Sequence, residues 1–234
     1  MGAIIPTRAE FIARVPVEYR QYAGVGPYYI PLFGRVYSRR LVQCLGAAKR
    51  HAAQPREVLD VGCGLGLATA AMASMYPRAE IHGLDIYPEE VLDTAKHLMP
   101  SSPRVKFTSG SIEDAPFESG RFDLITAFDV LEHVPRPEVA LQEIERLISP
   151  TGTVVVSVPI ESPILGVARY FYLMGGRRGE IHPHWEGSFD SLGDFERAWD
   201  ERFTDAERFN APFPFGPRVM NYDVVFVGGS RNRG

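Results

Sequence analysis

Three groups of residues in this 234-residue chain have types and spacings that could do chemistry. The first is Val58-Leu59-Asp60-Val61-Gly62-Cys63-Gly64-Leu65-Gly66, an apolar run that ends near an acid and then sets glycines on alternate positions. Glycines there let the main chain approach a bound nucleoside or amino acid closely, because no side chain stands in between. Asp60 would repel a pyrophosphate and welcome an ammonium group. A dinucleotide fingerprint counted from Gly62 needs its third glycine at position 67, where the chain has Leu67, so a nicotinamide cofactor loses weight. Asp85 closes the next apolar run and puts a second carboxylate at the same edge, where a pair of ribose hydroxyls can donate to it. A tight turn without any ligand is the plain alternative.

The second group is Asp129, Glu132 and His133 in FDVLEHVPRP, and the third is His182 and His184 in IHPHW. Imidazole titrates near neutral pH, so His133 or a histidine of the HPH segment could take a proton from an acceptor. Carboxylates with imidazole could instead hold a hard divalent ion such as Mg or Mn, which would acidify an acceptor hydroxyl. In the plainest reading Glu132 and His133 only cap and pack the turn before a helix.

The elements that must position these groups follow from periodicity. Between about residues 56 and 158, short β-branched runs alternate with stretches of helical period, the pattern of βα units feeding a parallel sheet. Strands are predicted at Glu57–Val61, Glu80–Asp85, Val105–Ser109, Phe122–Phe128 and 153–158, with helices at Leu67–Met75, 88–99 and 138–147. A later helix is expected at 192–200, and two late strands at 203–209 and 222–227. Residues 1–55 lack the alternation, carry Tyr19, Tyr22, Tyr28, Tyr29, Phe33 and Tyr37, and read as an N-terminal cap. Residues 56–234 read as the catalytic domain, interrupted after the fifth strand by a lid insertion over about 160–187. Within it, residues 163–174 are nearly apolar all round and run into Arg177 and Arg178. That stretch reads as a buried lid helix, with a cover over a lipophilic acceptor or a peripheral membrane contact as alternatives.

In this order and spacing, EVLDVGCGLG, GLDIYP, GSIEDAPF and FDLITAFDVLEHV resemble the motifs of class I S-adenosylmethionine-dependent methyltransferases, the group that includes ubiquinone-pathway and natural-product enzymes. The resemblance covers roughly residues 55–160. It implies an α/β, Rossmann-like seven-stranded sheet, mostly parallel with the last strand antiparallel, and S-adenosylmethionine as cofactor. It further implies that Asp60, Gly62 and Gly64 line the methionine and sugar, and that Asp85 and Ile86 hold the ribose and the adenine edge. Ser111 and Ile112 would meet the adenine, and Ala127 and Phe128 would face the sulfonium. Ser111 stands where the family often has an aspartate accepting from the adenine amino group. D-x-x-E-H at 129–133 resembles the metal-binding E-x-x-E-H of some quinone O-methyltransferases and small-RNA 2′-O-methyltransferases. On that secondary reading Asp129, Glu132 and His133, with His182 or His184, bind a divalent ion, and aspartate at 129 gives a shorter arm.

The bulk numbers narrow the acceptor. Twenty-five basic against twenty-nine acidic residues leave a net charge of −4, so no global positive field collects nucleic-acid phosphates. Arg39, Arg40, Lys49 and Arg50 read as a basic strip of the kind that solvated helix faces carry. No apolar run reaches the roughly 18 residues of a membrane span, no leader pattern opens the chain, and the sequence reads as cytoplasmic. Cys44 and Cys63 read as free thiols. The expectation is O-methylation of a small, largely apolar or aromatic molecule. Methylation at carbon or nitrogen, a metal-dependent RNA 2′-O-methyltransferase, a dehydrogenase and a non-catalytic cofactor-binding subunit are the alternatives.

Overall fold

Alternation along the strands decides the layers. Val58, Leu124, Val155, Val225 and Val227 point to one face of the sheet, and their neighbours Leu59, Ile125, Val154, Val156 and Phe226 point to the other. Both faces are apolar, so both must be covered, which is the condition for helices on two sides. The computed structural model describes residues 33–98, 104–160, 188–189, 191–214, 221 and 223–231, with the isolated positions 13 and 17.

Seven strands, β1 (Glu57–Val61), β2 (Glu80–Asp85), β3 (Val105–Ser109), β4 (Phe122–Phe128), β5 (Ile148–Pro159), β6 (Phe203–Ala211) and β7 (Asp223–Ser230), lie in the order β3-β2-β1-β4-β5-β7-β6. β1 to β5 pair in parallel, and β7 runs antiparallel to both β5 and β6. Helices α1 (Phe33–His51) and α2 (Leu67–Met75) cover one face, and α4 (Pro137–Leu147) and α5 (Leu192–Arg202) cover the other; α3 (Glu89–Leu98) follows β2. The mostly parallel seven-stranded sheet expected from the sequence is therefore the observed one.

The first four strands coincide with their sequence-based bounds because each is a self-contained apolar run. β5 starts earlier than expected: Ile148 already pairs with Phe122, and the register then jumps to Leu124 opposite Thr153. The residues between bulge out, and their Ser-Pro-Thr-Gly composition reads as a turn. Helix α1 falls in the stretch read as a cap. Its Leu41, Cys44, Leu45 and Ala48 recur at helical spacing and pack against Val58, Leu124 and Val155, so it is an integral layer of the domain. The insertion from 161 to 187, with its expected lid helix, lies outside the described residues. Among the described residues no helix is long and apolar enough to cross a membrane.

After β3 the chain returns past β1 to start β4 on its other side. This switch opens a crevice at the carboxyl ends of β1 and β4, the place where open α/β sheets bind ligands.

Candidate active site

A cavity of about 510 Å³ fills that crevice. Its floor is the turn after β1. The Gly62 and Cys63 amides donate to the Leu84 carbonyl (2.7 and 3.2 Å), and Gly66 donates to Cys63 (2.8 Å), which folds the turn tightly against β2. Two glycines in it do different work. Gly62 (φ 65°) has no room for a Cβ, which would sit 2.2 Å from a Val130 methyl; Gly64 (φ 52°) has nothing within 4 Å of a Cβ position and leaves open space. A substituent there would fill the cradle in which a ligand would lie.

Two carboxylates flank the turn. Asp60, 2 % exposed, accepts hydrogen bonds from Thr69 Oγ1 (2.5 Å) and Thr126 Oγ1 (2.9 Å). Burial nonetheless pushes its pKa up to about 6, against the pull of those two hydroxyls. Asp85 accepts from the amides of Gly64 (2.7 Å) and Tyr87 (3.2 Å), and burial raises its pKa as well. Each oxygen keeps a lone pair for a further donor. Ile86 stands next to Asp85 with 74 % of its surface exposed, an apolar plate on the cavity wall. Ser111 and Ile112 line the same wall. The Ser111 hydroxyl accepts from the Glu113 amide (3.1 Å) and caps the short 3₁₀ turn Ile112–Asp114.

The opposite wall is formed by Phe128, Asp129, Val130, His133, Val134, Pro135 and Arg40. Phe128 lines the cavity as expected, whereas the Ala127 side chain is fully buried in the core and does not. Asp129 lines it with a left-handed backbone (φ 56°) and a carboxylate paired with Arg40 and held by Ser157 Oγ (3.0 Å). Glu132 does not line it. Glu132 is 3 % exposed, one carboxylate oxygen has no hydrogen-bond partner among the described residues, and burial followed by the charge of Asp129 holds its pKa well above the ordinary range. The His133 side chain is about half exposed, with Nε2 3.9 Å from Glu132 Oε1. His182 and His184 lie outside the described residues.

The D-x-x-E-H pattern thus does not converge on one point: Asp129 turns to Arg40, Glu132 inward, and His133 outward. Among the described residues the side chains that do bring ligand atoms within 4.8 Å of one another are Glu57, Glu80 and His82, at the opposite end of the sheet. Those acids already face cations, Arg121 beside Glu57 (3.3 Å) and Lys106 beside Glu80 (3.1 Å). A second, larger groove of about 740 Å³ runs along β6, where Arg50 and Glu207 pair at 2.9 Å, far from Asp60 and Asp85.

Sequence reasoning missed Arg40, Asp223, Ser157 and the two threonines. The basic-strip reading of 39, 40, 49 and 50 places Arg40 on a solvated face, yet it is 6 % exposed. It lies one turn before Cys44 on the face of α1 that packs on the sheet, and that spacing is the signal that could have placed it inside.

Residues 59–156 match the family model of a methyltransferase domain. Over that stretch the chain carries a methyltransferase domain. A ubiquinone biosynthesis O-methyltransferase of Xanthomonas campestris pv. campestris is 38% identical over 117 residues, which cover 50% of this chain and 48% of the relative. A demethylmenaquinone methyltransferase of Staphylococcus aureus is 33% identical over 141 residues, covering 60% and 56%. The matched stretch therefore spans about half the length of these curated relatives. The fold extends further: the N-methyltransferase NodS of Bradyrhizobium japonicum, solved with S-adenosyl-L-homocysteine, superposes with a TM-score of 0.63 at 15% identity, covering 88% of this chain and 95% of that one. The crevice offers two acids, an open glycine cradle and an exposed apolar plate, groups that could meet an ammonium, a ribose and an adenine.

Proposed function

We propose that the protein transfers a methyl group from S-adenosylmethionine to an oxygen of a small, largely apolar or aromatic acceptor of the quinone-precursor type. The observation that carries this reading is the wall opposite the cofactor cradle, where Phe128, Val130, Val134 and Pro135 surround His133. An apolar ring would fit that wall, and its hydroxyl would find an imidazole. The two quinone-pathway relatives support the same acceptor class.

When bound, the cofactor supplies an electrophilic methyl on a sulfonium. The protein's own work is to orient and to exclude water, because an in-line displacement gains most from near-attack geometry in a dry site. Asp60 would face the ammonium, Gly62 and Gly64 would leave room for the chain, and Asp85 would accept from the ribose with Ile86 against the base. His133 would take the acceptor proton as the oxygen attacks. Incubation with methyl-labelled cofactor and a panel of phenols and catechols, with and without an isoprenoid tail, tests this. Mass spectrometry should find the label on oxygen, and label on carbon or nitrogen alone would overturn the assignment. His133→Ala should lower turnover at least tenfold with little change in cofactor affinity.

A further inference from the structure

Asp129 is the one non-glycine residue with positive φ among the described residues, and it stands where the cofactor cradle meets the acceptor wall. Strained backbone of this kind persists only where its surroundings over-determine it. Here the holding is explicit. The Asp129 amide donates to the Ser157 carbonyl (3.1 Å), Ser157 Oγ donates to Oδ1 (3.0 Å), and Arg40 pairs with Oδ2. The same Arg40 nitrogen pairs at 2.9 Å with Oδ2 of Asp223, which is fully buried at the start of β7. Arg40 therefore ties α1 to two carboxylates, one just after β4 and one at the start of β7. The turn that Asp129 begins then lays Val130 over Gly62 and presents His133 to the cavity.

We infer that Arg40 and Asp223 are positioning residues that hold Asp129 in its left-handed conformation and so aim the 129–133 turn at the acceptor. The inference rests on the acceptor-site reading above for its kinetic consequence, but its structural half does not. Arg40 stands in the cavity wall with Asp129 and His133, and Asp223 lies behind it, so both should act on the acceptor step. A carboxylate that serves only as an anchor can be replaced by a residue that adopts φ 56° without help, and glycine is that residue. A carboxylate that itself reacts cannot.

Five variants test this: Asp223→Asn, Arg40→Met, the charge-balanced pair of both, Asp129→Ala and Asp129→Gly. The balanced pair is included because Arg40→Met alone strips the cation from buried acids and endangers folding. Amide exchange across 129–134 should quicken in the Arg40 and Asp223 variants, while affinity for S-adenosyl-L-homocysteine by calorimetry stays within about threefold. With the acceptor found above, kcat should fall about ten- to a hundredfold in those variants, with the cofactor KM nearly unchanged, as misaimed groups do. Asp129→Gly should recover most of the activity that Asp129→Ala loses. Asp129→Gly as inactive as Asp129→Ala would overturn the inference, and so would unchanged exchange in the balanced pair. An inactive wild type would sink the acceptor reading alone, since the exchange experiment needs no acceptor.

Discussion

The two halves of the crevice are built in different ways. The half proposed for the cofactor comes mostly from one stretch of chain: Asp60, the glycines and Asp85 lie within two consecutive βα units, and backbone amides of the same stretch hold the turn and Asp85. The acceptor half draws Arg40 from α1, Asp129 from the end of β4, Ser157 from β5 and Asp223 from β7. A ligand common to a superfamily can be met by a contiguous, repeatable turn. An acceptor particular to one protein is met by side chains that only the finished fold brings together.

Stability should separate the halves most sharply. Arg40→Met leaves Asp223 and Asp129 without their shared cation, and loss of one partner from a buried pair costs about 3–5 kcal/mol; chemical denaturation should show it. Asp85→Ala, in the local half, should leave the fold nearly intact yet weaken cofactor binding by about 2 kcal/mol, close to thirtyfold, through the lost charge-assisted hydrogen bonds. Normal binding by Asp85→Ala in calorimetry would erase the distinction drawn here.

A finer contrast comes from pH. Asp60 titrates near pH 6 in the free protein, above its ordinary 3.8, and an ammonium beside it favours the charged form. Cofactor affinity should therefore be flat above neutrality and fall by up to about tenfold per unit as the pH drops below 6. Stability of the free protein should move the other way. The folded state holds this proton more tightly than the unfolded one, so the group contributes stability as the pH falls from 6 toward 3.8 and loses it as the pH rises. Asp60→Asn should flatten both curves. The smallest effect is expected at Ile86: Ile86→Ser should weaken cofactor binding by about 1 kcal/mol, since only one exposed apolar face is involved.

The same division explains what could be read from the residues in order. β1 to β4 and the cofactor turn are legible because their signals are local: apolar runs of strand length, each ending in Gly or Asp. Helix α1 is less legible, since aromatic, Gly and Pro residues precede it, although its positions 41, 44, 45 and 48 carry the right period. Asp129, Glu132 and His133 lie close together in the chain, and the secondary, metal-binding reading of D-x-x-E-H rests on that closeness alone. In the fold they diverge, because Asp129 pairs with Arg40, which it shares with Asp223, and both of these lie more than eighty residues away along the chain. Spacing within a motif carries no information about a partner that far off. The threonines that grip Asp60 are a milder case: Thr69 sits on the following helix and Thr126 across on β4.

The reversal of β7 has a further consequence. Were all seven strands to run the same way, every side chain at the ligand-bearing rim would come from a strand's last residues or the loop after it. One strand inserted upside down delivers its opening residue, Asp223, to that rim instead. Substitutions at the opening residue of β7 should therefore register in acceptor turnover even when they leave the glycine cradle untouched.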